Sequence, residues 1–188
     1  MGTPLGASAR YTVVPVLGPD GVGKTSLVRA FGDYVWRRDG VPAVPLRAVP
    51  NATVLDARAP YGVFQLVDFA SAAAEEAIFG TSQFQGALLV VDATNSVTPG
   101  TVRSVTRARE FHVPRMAVAL TKCDLVEDPE ILDLVTMEIR DLLSKNGFGG
   151  ERDDAPVGAV TAFSAEGGRT QAMIELPSFF ESVVRWIG

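Results

Sequence analysis

The chain has 188 residues and a mass of 20.0 kDa, with 47% hydrophobic and 21% charged residues, the proportions of one globular domain. Its 17 basic and 22 acidic residues leave a net charge of −5, so no broad basic face grips a phosphate backbone and free nucleic acid is not an expected partner. A single cysteine, Cys123, rules out an internal disulfide framework and a multi-cysteine zinc site and suits a reducing cytoplasm. No apolar run approaches the roughly 20 residues that span a bilayer, so no membrane association is expected.

Residues 1–10, rich in Gly, Ala, Thr and Pro, read as a flexible leader, and residues 11–188 as one domain. Tyr11 to Leu17 is β-branched and apolar, as a strand buried on both faces should be, and it runs into the glycine-rich segment Gly18 to Gly23. Lys24 to Trp36 then spaces Leu27, Val28, Phe31, Tyr34 and Val35 as one face of an amphipathic helix. Arg37 to Pro50 carries prolines and little periodicity and reads as a surface loop.

Ala52 to Arg58 and Gly62 to Asp68 form a predicted antiparallel hairpin turning at Ala59, Pro60 and Tyr61. Strands at Ala87 to Asp92, Arg115 to Thr121 and Pro156 to Val160 then alternate with helices near Thr98 to Glu110 and Pro129 to Asn146. A last apolar segment, Thr170 to Ile187, has a helical period interrupted by Pro177 and should close one face of the sheet. This alternation predicts a three-layer α/β domain around a mostly parallel sheet of about six strands with one antiparallel edge strand. Ligands of such sheets sit beyond the carboxyl ends of the strands.

Gly18-Pro-Asp-Gly-Val-Gly23-Lys24-Thr25 fits the phosphate-loop pattern at a strand-to-helix junction. A match to that pattern arises by chance in on the order of 1% of chains this size. Backbone N–H groups of Gly18, Asp20, Gly21, Val22 and Gly23 can converge on phosphate oxygens, with the amides of Lys24, Thr25 and Ser26 at the helix N-terminus. Lys24 supplies a cation, and the Thr25 hydroxyl can ligate Mg²⁺.

Thr121-Lys122-Cys123-Asp124, followed by Leu125, closes a strand further along. A carboxylate such as Asp124 can accept two hydrogen bonds from guanine N1–H and its 2-amino group, a donor pair adenine lacks, while the Lys122 stem lies along the ring. Alone, this tetrapeptide is a weak signal, and the phosphate loop before it gives it force. Asp68, ending a strand, can hold a Mg²⁺-bound water or serve as an ordinary turn aspartate.

These residues, together with Gly86-Ala-Leu-Leu-Val-Val-Asp-Ala-Thr, Val113-Pro114, Leu120-Thr-Lys-Cys-Asp-Leu-Val, the acidic helix around Leu132 to Leu143 and Asp153-Asp-Ala-Pro156, resemble the GTP-binding domain of translation factor GTPases, most closely elongation factor Tu. The resemblance spans about residues 12–187 and implies a P-loop GTPase domain that binds GTP and GDP with Mg²⁺. It implies that Lys24, Thr25, Asp68, Lys122 and Asp124 contact nucleotide or metal, and that the backbone of Thr161, Ala162 and Phe163 supports the guanine. Ser164-Ala165 is a competing register for that last motif. The Mg²⁺-binding threonine of the first switch corresponds to Thr53, which reads equally as an ordinary strand threonine.

The third motif departs from the family, with Asp68-Phe69-Ala70-Ser71-Ala72 where elongation factor Tu has Asp-Cys-Pro-Gly-His. Ser71 keeps an N–H but lacks the freedom of glycine, and the methyl group of Ala72 cannot orient water as the family histidine does. No catalytic residue is assigned, and hydrolysis is expected to be weak or to depend on a protein partner. The lone histidine, His112, reads as a surface or cap residue. The chain ends after one domain, without the β-barrels that help elongation factors grip aminoacyl-tRNA, so tRNA delivery is not expected. A non-hydrolysing interaction module on the same fold is the alternative, with an ATP-dependent P-loop kinase ranked last.

Overall fold

A computed structural model describes residues 11–39, 47–49, 51–59, 62–79, 84–148, 155–160 and 171–187. Among these the chain runs β1 (Tyr11–Leu17), α1 (Lys24–Asp39), β2 (Arg47–Val49), β3 (Ala52–Ala59), β4 (Gly62–Phe69), α2 (Ala72–Phe79) and β5 (Ala87–Asp92). It continues with α3 (Pro99–Glu110), β6 (Met116–Thr121), a 3-10 turn at Cys123–Leu125, α4 (Pro129–Lys145), β7 (Val157–Ala159) and α5 (Gln171–Ile187). The sheet order is β2-β3-β4-β1-β5-β6-β7. Parallel pairs link β4, β1, β5, β6 and β7.

The expected α/β architecture is therefore present, with a seventh strand. Among the described strands only β3 runs against the rest, and it is not the edge, because β2 pairs with its outer side from Arg47↔Val54 to Val49↔Ala52. Three residues are too few to impose a readable alternation, so β2 is hidden in the proline-bearing segment read as loop. The other additions are α2 and three further residues of α1 beyond Trp36. Residues 1–10, read above as a leader, lie outside the described residues.

Period-two alternation sorts the central strands into two cores. Leu89, Val91, Val118 and Leu120 face α3 and α4, where Val105, Ala108, Val135, Ile139 and Leu143 are buried. Leu88, Val90, Ala117 and Ala119 face the other way, toward Leu27, Val28 and Phe31 of α1 and Phe180 and Val183 of α5. Phe180 anchors this side, with ring centroids 4.9 Å from Phe31 and 6.2 Å from Phe64. A row of buried α5 side chains, from Leu176 to Ile187, carries the helix through Pro177 despite the lost intrahelical hydrogen bond.

Pro15 lies in the central strand, where a missing N–H would ordinarily break a ladder. Its neighbour on the same side, Val13, donates its N–H to Gln85 Oε1 at 2.8 Å, and pairing of β1 with β5 starts only at Val16↔Leu88. Pro15 is thus placed just before that ladder begins.

Candidate functional site

Three strand ends converge at the carboxyl edge of the sheet. The first leads out of β1 into Gly18–Gly23 and then α1. Gly18 has φ +137° and a Cβ there would stand 2.4 Å from the Val90 carbonyl oxygen, so only glycine lets the loop pass this close to β5. Gly21 and Gly23 also have positive φ, at +79° and +95°. Lys24 Nζ donates to the carbonyls of Gly18 and Pro19, both at 2.8 Å, and lies 3.8 Å from the Asp20 carboxylate. The cation is thereby held over the loop whose amides were expected to bind phosphate.

The second strand end is β4. The β1–β4 register pairs Val16 with Asp68 and so sets Asp68 beside the loop. Thr25 Oγ1 donates to Asp68 Oδ2 at 2.5 Å, while the buried Asp68 Oδ1 has no hydrogen-bond partner among the described residues. Burial pushes the Asp68 carboxyl above its usual range, and the Thr25 hydrogen bond and the charges of Lys24 and Arg29 bring it only part of the way back. Thr53 stands opposite Asp68 in the β3–β4 ladder, and both line a cavity of about 530 Å³ with Lys24, Thr25 and Ser26. The structure thus brings Thr25, Thr53 and Asp68 together, although they come from three separate segments.

Beyond Asp68, Ser71 accepts a hydrogen bond at its side-chain oxygen from Ala74 N–H at 3.2 Å, capping α2. In the first turn of α2, Glu75 is nearly buried and lies 3.7 Å from Arg107 of α3, whose guanidinium also reaches Glu76 at 3.1 Å. Burial raises the Glu75 carboxyl from its usual range, against the opposing charges of Arg107 and Lys24.

The third strand end is β6. Thr121 is buried and donates its hydroxyl to the Val22 carbonyl at 2.6 Å and to the Val91 carbonyl at 3.1 Å. Lys122 follows in a left-handed conformation, φ 58°, and turns its ammonium back to Asp92 Oδ2 at 2.6 Å. Lys122 and Asp92 border a second cavity of about 310 Å³ against Pro19 to Val22 of the loop. Asp124 and Leu125 are exposed in the 3-10 turn, outside the described lining of both cavities. Thr161, Ala162 and Phe163, like the competing Ser164-Ala165, lie outside the described residues.

Sequence reasoning missed Asp92 and the Glu75–Arg107 pair. A signal for Asp92 was present: a strand-ending aspartate followed by Thr94 and Asn95 is the composition of a turn in which side chains bond back to a carboxylate. Nothing local announces Glu75–Arg107, since the partners come from different helices. His112 is exposed beyond α3 with φ 56°, donating its N–H to the Arg109 carbonyl at 3.0 Å, as expected of a terminal residue.

A phosphate-loop lysine over the loop carbonyls of Gly18 and Pro19, with a hydroxyl and a carboxylate meeting beside it at the carboxyl edge of a parallel sheet, defines a P-loop nucleotide-binding domain. Residues 67–187 match the profile of the elongation factor Tu GTP binding domain. The chain belongs to that family, and membership implies guanine-nucleotide binding. The match begins at Val67, so it takes in Asp68 and Thr121 to Leu125, while the phosphate loop and Thr53 rest on the geometry above. Among the described residues no helix is long and apolar enough to cross a membrane.

Proposed function

We propose that residues 11–188 act as a single guanine-nucleotide switch domain that takes GTP or GDP with Mg²⁺ and hydrolyses GTP slowly or only with a protein partner. The observation that carries this reading is the convergence of Lys24, Thr25 and Asp68 beside Gly18–Gly23. Lys24 and the loop amides would hold the β- and γ-phosphates. The backbone of Thr161, Ala162 and Phe163 would support the guanine together with Thr121, Lys122 and Leu125, and Asp124 would select it by accepting hydrogen bonds from the guanine N1–H and 2-amino group.

The donor set also fits a metal. Asp68 has one buried oxygen without a partner among the described residues, and the Thr25 hydroxyl points at the other. Among the described residues no three His, Cys, Asp or Glu side chains gather into a metal cluster, which suits an ion bound mainly by nucleotide and water oxygens. When bound, Mg²⁺ neutralises charge on the phosphates. Thr25 would hold it directly, Asp68 through water, and Thr53 would approach from β3.

Slow hydrolysis follows from Ser71 and Ala72. The Ser71 oxygen is engaged in capping α2, and the alanine carries no group to orient water. The same two residues favour the second reading, a non-hydrolysing interaction module that keeps nucleotide as a structural ligand. The lone buried Cys123 suits a cytoplasmic setting, and the acidic charge disfavours tRNA as a partner.

Calorimetric titration with GDP, GTP and ATP in Mg²⁺ tests the assignment. Guanine nucleotides are expected to bind in preference to ATP, and preference for ATP would overturn the reading. Single-turnover GTP hydrolysis then separates a slow enzyme from an inert module.

A further inference from the structure

Asp92 ends β5 at the centre of the sheet, with only 4% of its surface exposed. Its carboxylate accepts four hydrogen bonds, two on each oxygen. Oδ1 takes the Thr94 N–H at 3.0 Å and the Thr94 hydroxyl at 2.6 Å, while Oδ2 takes Asn95 Nδ2 at 3.0 Å and Lys122 Nζ at 2.6 Å. Three of these come from the turn that follows β5, so the local chain fixes the carboxylate plane independently of Lys122. Burial favours the neutral acid, but the Lys122, Thr94 and Asn95 hydrogen bonds outweigh it and hold the carboxyl below its usual range.

Lys122 presents the complementary problem. The β5–β6 register sets Thr121 opposite Asp92, so Lys122 emerges one residue past the paired strands. Its stem has four rotatable bonds and its side chain is 39% exposed. A lysine so placed ordinarily sends its ammonium into water and samples many rotamers. Here the ammonium is tied at the tip to a rigid, buried acceptor, and the stem crosses the wall of the cavity beside Pro19 to Val22.

We infer that Asp92 is the positioning residue for Lys122, fixing its stem as a preformed wall against which the nucleotide base lies. This rests on the guanine-nucleotide reading and adds to it the residue that sets base-side affinity. Because Asp92 neutralises the ammonium, Lys122 works through its stem rather than through free charge. In this role Asp92 acts on the base through the lysine it holds.

A double-mutant cycle on the full chain tests this, with Kd for GDP in Mg²⁺ read by displacement of a fluorescent GDP. Asp92→Asn keeps an acceptor for Thr94 but removes the ion pair, so the Lys122 stem must be ordered by the ligand itself. GDP should bind about tenfold more weakly. Lys122→Met weakens binding as well, and Asp92→Asn added to Lys122→Met should cost nothing further. A merely structural role for Asp92 would make the two losses add.

Unchanged GDP affinity in Asp92→Asn, or additive losses in the pair, overturns the inference while leaving the guanine reading intact. Failure of the unaltered chain to bind GDP defeats both. If circular dichroism shows Asp92→Asn unfolded, Thr94→Val loosens the carboxylate while keeping both charges. About a threefold loss is then expected, and none overturns the proposal.

Discussion

Thr121 and Val22 are 99 residues apart in the chain and are joined by a 2.6 Å hydrogen bond, from the buried hydroxyl of one to the carbonyl of the other. The same hydroxyl reaches Val91 O at 3.1 Å. One short side chain therefore links the end of β6, the end of β5 and the phosphate loop, and so ties together the segments proposed to hold base and phosphates.

Replacing Thr121 by valine keeps the shape and removes the hydroxyl, leaving two buried carbonyls with one donor fewer. Thr121→Val is expected to lose about 1–3 kcal/mol of stability, read as a lower urea midpoint at unchanged m-value. It should also weaken GDP binding, because the loop is no longer braced from the base side.

Gly18 and Gly21 both adopt positive φ but meet different surroundings, which separates steric from conformational cost. Gly18→Ala would press a methyl group to 2.4 Å from Val90 O and should destabilise by about 2–4 kcal/mol. At Gly21 no atom of the described residues lies within 4 Å of an added Cβ, so Gly21→Ala pays only the left-handed backbone, about 1 kcal/mol. Thermal unfolding of the nucleotide-free variants checks the order, and equal losses would contradict it.

Asp68 is costly to the nucleotide-free fold, with a buried oxygen that no described residue bonds. Asp68→Asn keeps an acceptor for Thr25 and removes the buried charge, so the nucleotide-free protein should gain stability of about 1 kcal/mol. GDP affinity should at the same time lose its dependence on Mg²⁺. Titrations with and without EDTA, beside melting curves, read both effects.

Glu75 supplies a pH signature. Its folded-state pKa is raised, chiefly by burial, so the native protein holds its proton more tightly than the unfolded chain, where glutamate titrates near about 4.3. Its contribution to stability is therefore complete below that value and is lost as pH rises through the raised folded pKa. Glu75→Gln removes this slope, while Arg107 keeps Glu76 as a partner. Relative to the unaltered protein, the variant should become progressively more stable in denaturant titrations as pH rises above about 4.3, and a flat difference would refute the assignment.

The sequence was informative wherever chemistry and period coincide. The alternation Leu88, Leu89, Val90, Val91 needs burial on both faces and so marks a central strand, and glycines leading to Lys24 and Thr25 have few purposes other than phosphate binding. It was silent where an element is too short to carry a period, as in β2, or where partners meet only in three dimensions. Glu75 and Arg107 are such a pair. Pro177 misled in the other direction: a local breaking signal was outweighed by the apolar face of α5 packed around Phe180. Thr53 reads equally as strand or site residue from its sequence; it is a strand residue, and that strand brings it to the cavity beside Asp68.

That last arrangement constrains how news of the bound nucleotide could travel. A threonine on a hinged loop leaves a ligand by rotating a few torsions, whereas Thr53 is a rung, paired with Asp68 on one side and with Ala48 on the other. Withdrawing it means sliding or unzipping β3, and a slip of one residue would turn its outward side chains inward. The smallest slip that preserves the faces is two residues, about 7 Å along the strand. A message from the γ-phosphate would then be written as a step in strand register and read at the far rim, where β2 is carried along with it.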